Sequence, residues 1–246
     1  MKYNLTISKL SARTATTEIL HEVNLKAKPG ETIVIMGQNG AGKSTLLRAI
    51  AGVGDFIVNA KHLLLSEVNI LKMKTDQRAR AGLFLSYQEP VAIPGLSYSE
   101  MLRSALEVRG EKMMRSKYQL RLAECFEKVG LSSLVAERDV NANCSGGEKK
   151  KLEIAQILMT QPTVALLDEI DSGLDIDAAG RMSKVLKEYQ TKSKCTYIIV
   201  THNMRILHGL KPTQVLIMKD GRIVRTGGSA LLDEVRQNGF KNVGIK

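Results

Sequence analysis

Lys43 and Ser44 close the run Gly37-Gln38-Asn39-Gly40-Ala41-Gly42-Lys43-Ser44-Thr45, whose residue types suit the holding of phosphates. The glycines let successive backbone N–H groups face an anion, the Lys43 ammonium can neutralise terminal phosphate charge, and the Ser44 hydroxyl can ligate Mg²⁺. Phosphoryl transfer needs little covalent chemistry; it needs such a cradle, a metal and a group that positions the attacking water. Candidates for these parts follow in one order: Gln88, then Cys144-Ser145-Gly146-Gly147-Glu148, then Leu166-Leu167-Asp168-Glu169, then His202. Asp168 is expected to hold the metal together with Ser44 and Gln88, and Glu169 to polarise the water as general base. His202 is expected to contact the γ-phosphate and keep Glu169 and the water in line. An isolated Asp-Glu commonly caps a helix and an isolated histidine commonly sits satisfied in a loop; beside an intact phosphate loop they read as parts of one site. The catalytic set is then Lys43, Gln88, Glu169 and His202, acting on ATP.

The second glycine-rich piece decides how such a site is completed. Ser145-Gly146-Gly147 opens a helix, so its hydroxyl and unpaired N–H groups form an anion site with no phosphate of its own. An ATPase acting alone needs one phosphate loop. Ser145, Gly146, Gly147 and Glu148 are therefore expected to face the γ-phosphate held by another subunit. Asp175, in Ser172-Gly173-Leu174-Asp175, could cross the same interface, and a helix N-cap is an equally good reading of it.

These residues need a scaffold that gathers distant segments at one edge. Residues 32–36 read as a buried strand feeding the phosphate loop, and residues 43–51 as a helix with its N-terminus at the phosphates and Gly52 as its cap. Residues 83–87, 164–167 and 197–201 read as further strands, and carboxylates at the C-terminal edge of a parallel sheet share a crevice with the loop. Pro90 and Pro94 break regular structure. Ser97 and Glu100 then have capping-box spacing before a helix bearing Met101, Leu102, Ala105 and Leu106, and a second helix with Leu122, Phe126 and Val129 closes at Gly130. Residues 1–8 alternate like an edge strand, and Asp220-Gly221 between two apolar runs signals a hairpin. The expected class is α/β, with a largely parallel sheet core, an N-terminal antiparallel β portion and a helical subdomain. All of 1–246 forms one domain: residues 1–87 and 160–246 the catalytic core, and 88–159 the helical subdomain carrying the second glycine motif.

Composition narrows the partners. A net charge of +11 raises nucleic acid or an acidic protein as possibilities, and its one concentration, Arg109, Lys112, Arg115, Lys117 and Arg121, reads as a solvated face. No apolar run approaches the roughly 18 to 20 residues that cross a bilayer. The first residues lack the apolar segment of a signal peptide, so a cytoplasmic location is expected. Three cysteines without CxxC spacing suit a reducing compartment and form no metal framework.

Taken together, the ordered motifs resemble the nucleotide-binding domain of the ATP-binding-cassette family, a P-loop NTPase type, over nearly the whole chain. Finer features resemble its SufC-like branch, which serves iron-sulfur cluster assembly: Gln88-Glu89-Pro90-Val91-Ala92-Ile93-Pro94-Gly95, Glu148-Lys149-Lys150 after the glycines, Asp168 to Ala178, Thr201-His202 with Arg205-Ile206-Leu207, and Gly221-Arg222-Ile223-Val224. Transport cassettes more often carry glutamine at the position of Glu148. The resemblance implies ATP and Mg²⁺ as cofactors and a transient, ATP-dependent head-to-tail homodimer. It further implies SufB/SufD-type scaffold proteins as partners, with no direct membrane insertion and no nucleic acid. The rival is the ATPase subunit of a membrane transporter, with the same fold and chemistry. A nucleic-acid-acting cassette is suggested by charge alone, and such proteins usually carry the coiled-coil insertions or tandem cassettes that this chain lacks.

Two departures and two further expectations follow. No aromatic residue occurs between Tyr3 and Phe56, where such cassettes often stack adenine, so base recognition is expected to be loose or aliphatic. Cys144 stands where the signature usually begins with an apolar residue. A lysine among Lys149 to Lys151 is expected to hold Glu169 away from the water at rest. The stretch from Glu89 to Leu106 is expected to meet the partner; its apolar Val91, Ile93, Leu96 and Tyr98 either pack the lobe or, where some are exposed together, form a docking patch.

Overall fold

In the computed structural model, residues 4–88, 90–201, 204–207 and 209–242 are described. Strands β1 (Leu5–Arg13), β2 (Glu18–Ala27) and β3 (Thr32–Met36) are followed by helix α1 (Lys43–Ala51) and the short strands β4 (Ile57–Asn59), β5 (His62–Leu65) and β6 (Val68–Asn69). Helix α2 (Thr75–Arg80), β7 (Leu83–Leu85), β8 (Ile93–Ser97), α3 (Tyr98–Val108), α4 (Arg115–Lys128), β9 (Asp139–Val140) and α5 (Gly146–Thr160) come next. The chain ends with β10 (Val164–Asp168), α6 (Ile176–Ser193), β11 (Thr196–Val200), β12 (Gln214–Lys219), β13 (Arg222–Gly227) and α7 (Ser229–Asn242).

The six-stranded sheet has the order β13-β12-β3-β11-β10-β7 and is parallel except for β13. Its central strands β3, β10 and β11 are buried at every position, as strands covered on both faces must be. Alternate residues feed two apolar clusters. Val34, Leu167 and Ile199 face one with α3 to α6, while Ile33, Leu166 and Ile198 face the other with α1 and the N-terminal strands.

The N-terminal sheet runs β2-β1-β5-β6, with β4 also paired to β1, all antiparallel. The opening strand is thus interior, correcting the edge reading. Alternation reports that one face is buried, not whether both edges are paired. The strand expected over 83–87 stops at Leu85, because Ser86 and Tyr87 already turn toward the loop that holds Gln88.

The expected helix ends are present. Gly52 and Gly130 take φ of 71° and 70° just beyond α1 and α4, and Ser97 with Glu100 forms a capping box on α3. Asp220 and Gly221 both have positive φ between β12 and β13, the geometry of a tight hairpin turn. Of the basic cluster, Lys112, Arg115 and Lys117 are exposed. Arg109 and Arg121 are not merely solvated: their guanidinium groups donate to the carbonyls of Thr160 and Met159 at the C-terminal end of α5, and Arg121 also bonds Glu111 at 3.2 Å.

Candidate active site

The phosphate loop leaves β3 at a point with no room for a side chain. A Cβ on Gly37 would lie 2.2 Å from the Met218 carbonyl oxygen on β12. On the other side, the Gly221 N–H donates to the Ala41 carbonyl (3.1 Å) while the His21 N–H donates to the Gly221 carbonyl (3.0 Å). The hairpin turn therefore stitches the loop to β2. At φ 71°, a Cβ on Gly221 would lie 1.9 Å from the Ile19 carbonyl oxygen. Gly221→Ala is expected to displace the Ala41 carbonyl, destabilise the fold by roughly 1–3 kcal/mol and weaken ATP binding about tenfold. Thermal melting and calorimetry with ATP measure both effects; an unchanged ATP affinity would show that the turn does not shape the loop.

Lys43, only 7% exposed, directs its ammonium to the carbonyls of Gly37 and Gln38, each at 2.9 Å. Burial lowers its pKa, with Glu169 and Asp168 acting in the opposite direction. The lysine is thus curled into the mouth of its own loop and already desolvated, which strengthens its field toward any anion there.

Asp168 ends β10 and is 3% exposed, with its N–H donating to Ser86 Oγ at 3.2 Å. Burial raises its pKa, and the negative charge of Glu169 adds to the rise; a hydrogen bond with Ser44 is the chief opposing contribution. Its Oδ1 is buried without a hydrogen-bond partner among the described residues. A desolvated carboxylate oxygen with no partner, beside a serine hydroxyl, is a donor set for a hard divalent cation. The residues present fit Mg²⁺.

Glu169 follows at φ 50°, its N–H donating to the Val200 carbonyl at 2.9 Å. This left-handed step after the strand turns the carboxylate to a cleft of about 510 Å³ lined by Lys43, Ser44, Thr45, Gln88, Glu169 and Ile19 with the loop residues Asn39, Gly40 and Gly42. There Glu169 Oε2 accepts a hydrogen bond from Gln88 Nε2 at 3.1 Å. The expected lock through Lys150 is not what holds it. Lys150 is buried and donates to Glu153 (3.1 Å) and the Tyr87 carbonyl (3.0 Å), because an i, i+3 partner on α5 lies within reach. His202 lies outside the described residues.

The second glycine motif does not line this cleft. Ser145 caps α5: its Oγ accepts from the Glu148 N–H (3.2 Å), and Glu148 accepts from the Ser145 N–H (3.0 Å). That hydrogen bond is the main reason the Glu148 pKa is lowered. Gly146 lines a separate cavity with Gln88, Lys149, Lys150 and Gly173. Asp175 caps α6, accepting from the Ala178 N–H at 2.6 Å. The Cys144 thiol donates to the Ala142 carbonyl at 3.3 Å, and burial raises its pKa, away from a reactive thiolate. Of the four apolar residues in the stretch expected to meet a partner, Tyr98 is fully buried in the lobe and Leu96 packs against the same cluster, while Val91 and Ile93 are 78% and 44% exposed.

Sequence reasoning missed three residues here. Ile19 gives the cleft the aliphatic wall that a missing aromatic leaves open, and the absence of aromatics was the signal for it. Ser86 had no signal beyond its nearness to Gln88. Asp171, buried and accepting the Thr201 hydroxyl on both oxygens at 3.0 and 3.1 Å, fixes the end of β11 to the segment after Glu169.

The model of the family described as ABC transporter matches residues 20–172. A probable ABC transporter ATP-binding protein of Streptococcus pyogenes serotype M3 is 43% identical over 97% of this chain and 94% of its own length. A probable ATP-dependent transporter ycf16 of Pyropia yezoensis is 40% identical over 96% of each. Among solved structures, a dimeric bacterial ABC transporter cassette superimposes with a TM-score of 0.78, covering 91% of this chain and 98% of the other at 22% identity, a likeness of fold. With the phosphate loop, the β10 carboxylates and this sheet order, these matches lead to one conclusion: the chain belongs to the ABC transporter family, as one of its ATPase cassettes.

Proposed function

We propose that this chain binds MgATP in the cleft of Lys43, Ser44, Gln88 and Asp168, and hydrolyses it with Glu169 as general base. The reading extends to a transient head-to-tail dimer that drives work on a SufB/SufD-type scaffold in iron-sulfur cluster assembly. The observation that carries the chemistry is the buried, partnerless Asp168 oxygen, next in sequence to Glu169, which lines the cleft with Ser44 and Gln88. Ser44 and Asp168, with Gln88 beside them, would hold Mg²⁺, which would offset phosphate charge. Lys43 gives up the Gly37 and Gln38 carbonyls for the phosphates. Glu169, once Gln88 gives up the hydrogen bond to it, is released to orient the water and accept its proton. His202 completes the line as the residue after Thr201. Ser145, Gly146, Gly147 and Glu148 at the start of α5, with Asp175, meet the nucleotide of the second copy, and residues 88–159 act as the lobe that carries them.

The SufC-like runs around Gln88, Asp168 and Gly221 support the scaffold reading. The relatives' descriptions as transporter ATP-binding proteins favour a second one, the ATP-binding subunit of a membrane transporter. No helix among the described residues is long and apolar enough to cross a membrane. Purification of the chain from native extract decides: a soluble β-rich scaffold supports the first, and a polytopic membrane protein overturns it. The exposed Val91 and Ile93, beside Gln88, are the expected contact. Val91→Asp combined with Ile93→Asp is expected to weaken scaffold binding at least about hundredfold, the loss typical of an interface anchor, with ATP affinity retained. Normal binding by that variant in calorimetry would move the interface elsewhere.

A further inference from the structure

Strand β7 pairs in parallel with β10, Val164 beside Leu83 and Leu166 beside Leu85. One more rung follows, in which the Ser86 N–H donates to the Leu166 carbonyl at 2.8 Å. In a parallel ladder, a residue that donates to one position on its neighbour accepts, on its own carbonyl, the N–H two positions further on. The next rung would therefore join the Ser86 carbonyl to the Asp168 N–H. A side chain makes it instead: the Asp168 N–H donates to Ser86 Oγ at 3.2 Å.

This exchange of a backbone acceptor for a hydroxyl has two consequences. The β7 backbone can leave the sheet after Leu85 and turn toward the cleft that Gln88 lines. Asp168 nevertheless stays tied on that side of β10, while on the other side the Glu169 N–H donates to the Val200 carbonyl of β11 at 2.9 Å. Ser86 is 1% exposed and Asp168 3%, so without the hydroxyl the Asp168 N–H would be buried and unpaired, and the backbone would have to shift to satisfy it. The carboxylate carried by this backbone hydrogen-bonds Ser44 and has its Oδ1 buried without a partner among the described residues. Mg²⁺ requires nearly ideal octahedral geometry, so a small displacement of Asp168 relative to Ser44 weakens any site the two form.

We propose that Ser86 is a positioning residue for the metal side of the cleft: its hydroxyl, standing in for a ladder carbonyl, sets the Asp168 carboxylate against Ser44 while the chain turns to Gln88. This rests on the reading of the cleft as the MgATP site.

The test is calorimetry of ATP binding to the full chain, once with Mg²⁺ and once with EDTA, where the ratio of the two affinities isolates what the metal contributes. Ser86→Ala is expected to lower this ratio roughly tenfold, as loss of a hydrogen-bond partner of a metal ligand does, with the affinity in EDTA nearly unchanged. Ser86→Cys, close to serine in size and a weaker acceptor, is expected to fall between the two and serves if the alanine variant does not fold. Because Ser86 acts through Asp168, adding Ser86→Ala to Asp168→Asn is expected to lower the ratio no further. A role confined to stability would lower the melting temperature and leave the ratio unchanged in both single variants, and that outcome overturns the proposal. A further loss in the Asp168→Asn background overturns it as well. A ratio near one in the unaltered protein, or no ATP binding by it, would instead overturn the reading of the cleft.

Discussion

Glu169→Gln is expected to lower the ATP turnover rate by about 10²- to 10⁴-fold, the usual range for loss of a general base, with ATP affinity within a few-fold of the unaltered protein. The substitution is nearly isosteric, and a glutamine can still meet Gln88 at the position where Glu169 Oε2 now accepts its bond. What disappears is the basic oxygen that takes a proton from water. It also removes a negative charge that raises the pKa of Asp168, while Ser44 and Asp168, the proposed metal donors, stay in place. Binding without hydrolysis should accumulate the closed state. Under the head-to-tail reading, the variant elutes as a dimer with MgATP and as a monomer without it. Turnover near normal would remove Glu169 from the role, while lost turnover with no dimer at any ATP concentration would leave the base in place and sink the dimer.

Asp168→Asn separates function from stability in opposite directions. Burial holds the Asp168 carboxyl above its ordinary pKa of 3.8, so the unfolded chain gives up this proton at a lower pH than the folded one. Between the two values the unfolded state binds fewer protons, and stability falls as pH rises through that window. At neutral pH the folded protein bears the full penalty of a buried anion with one oxygen unpartnered. An asparagine keeps the shape and can still bond Ser44 without the charge. Removing a penalty of roughly 1–3 kcal/mol should raise the melting temperature by about 2–4 °C per kcal/mol in a chain of this size. Turnover should fall at least about hundredfold, and ATP binding should lose its dependence on Mg²⁺. A lower melting temperature together with retained Mg²⁺-dependent turnover would show that Asp168 is neither desolvated nor a metal ligand.

What was legible in the sequence is what is local. The phosphate loop is contiguous, so residue types and spacing suffice to read the cradle of Lys43 and Ser44, and the caps at Gly52, Gly130 and Ser97 depend on neighbours three or four positions away. The Asp220-Gly221 hairpin was readable for the same reason, but not that its turn is wedged between Ile19 and Ala41, since nothing in the dipeptide names its tertiary neighbours. Whether Tyr98 packs the lobe or joins a docking patch was not legible beside two prolines; it is buried, and its hydroxyl donates to Asn141, 43 residues on. Lys150 was assigned to Glu169 across the fold, and the nearer Glu153 on its own helix took it. Ser145 and Asp175 were readable as helix starts. Whether a second nucleotide approaches them lies outside a single chain.

The two arginines at the far end of α5 bear on the excess positive charge. A helix is a dipole, with its negative end at the last carbonyls, and α5 runs 15 residues from Gly146 to Thr160, about 22 Å. Arg109 and Arg121 sit on those last carbonyls and cancel the negative pole. An anion approaching Ser145–Gly147 then meets the positive pole of a helix whose opposing end has been silenced, and the field there is closer to that of a single partial charge than of a dipole. Part of the basicity that suggests a nucleic-acid binder is in this way directed inward, and its effect is felt a helix length away, at the place where a neighbour's phosphate would arrive.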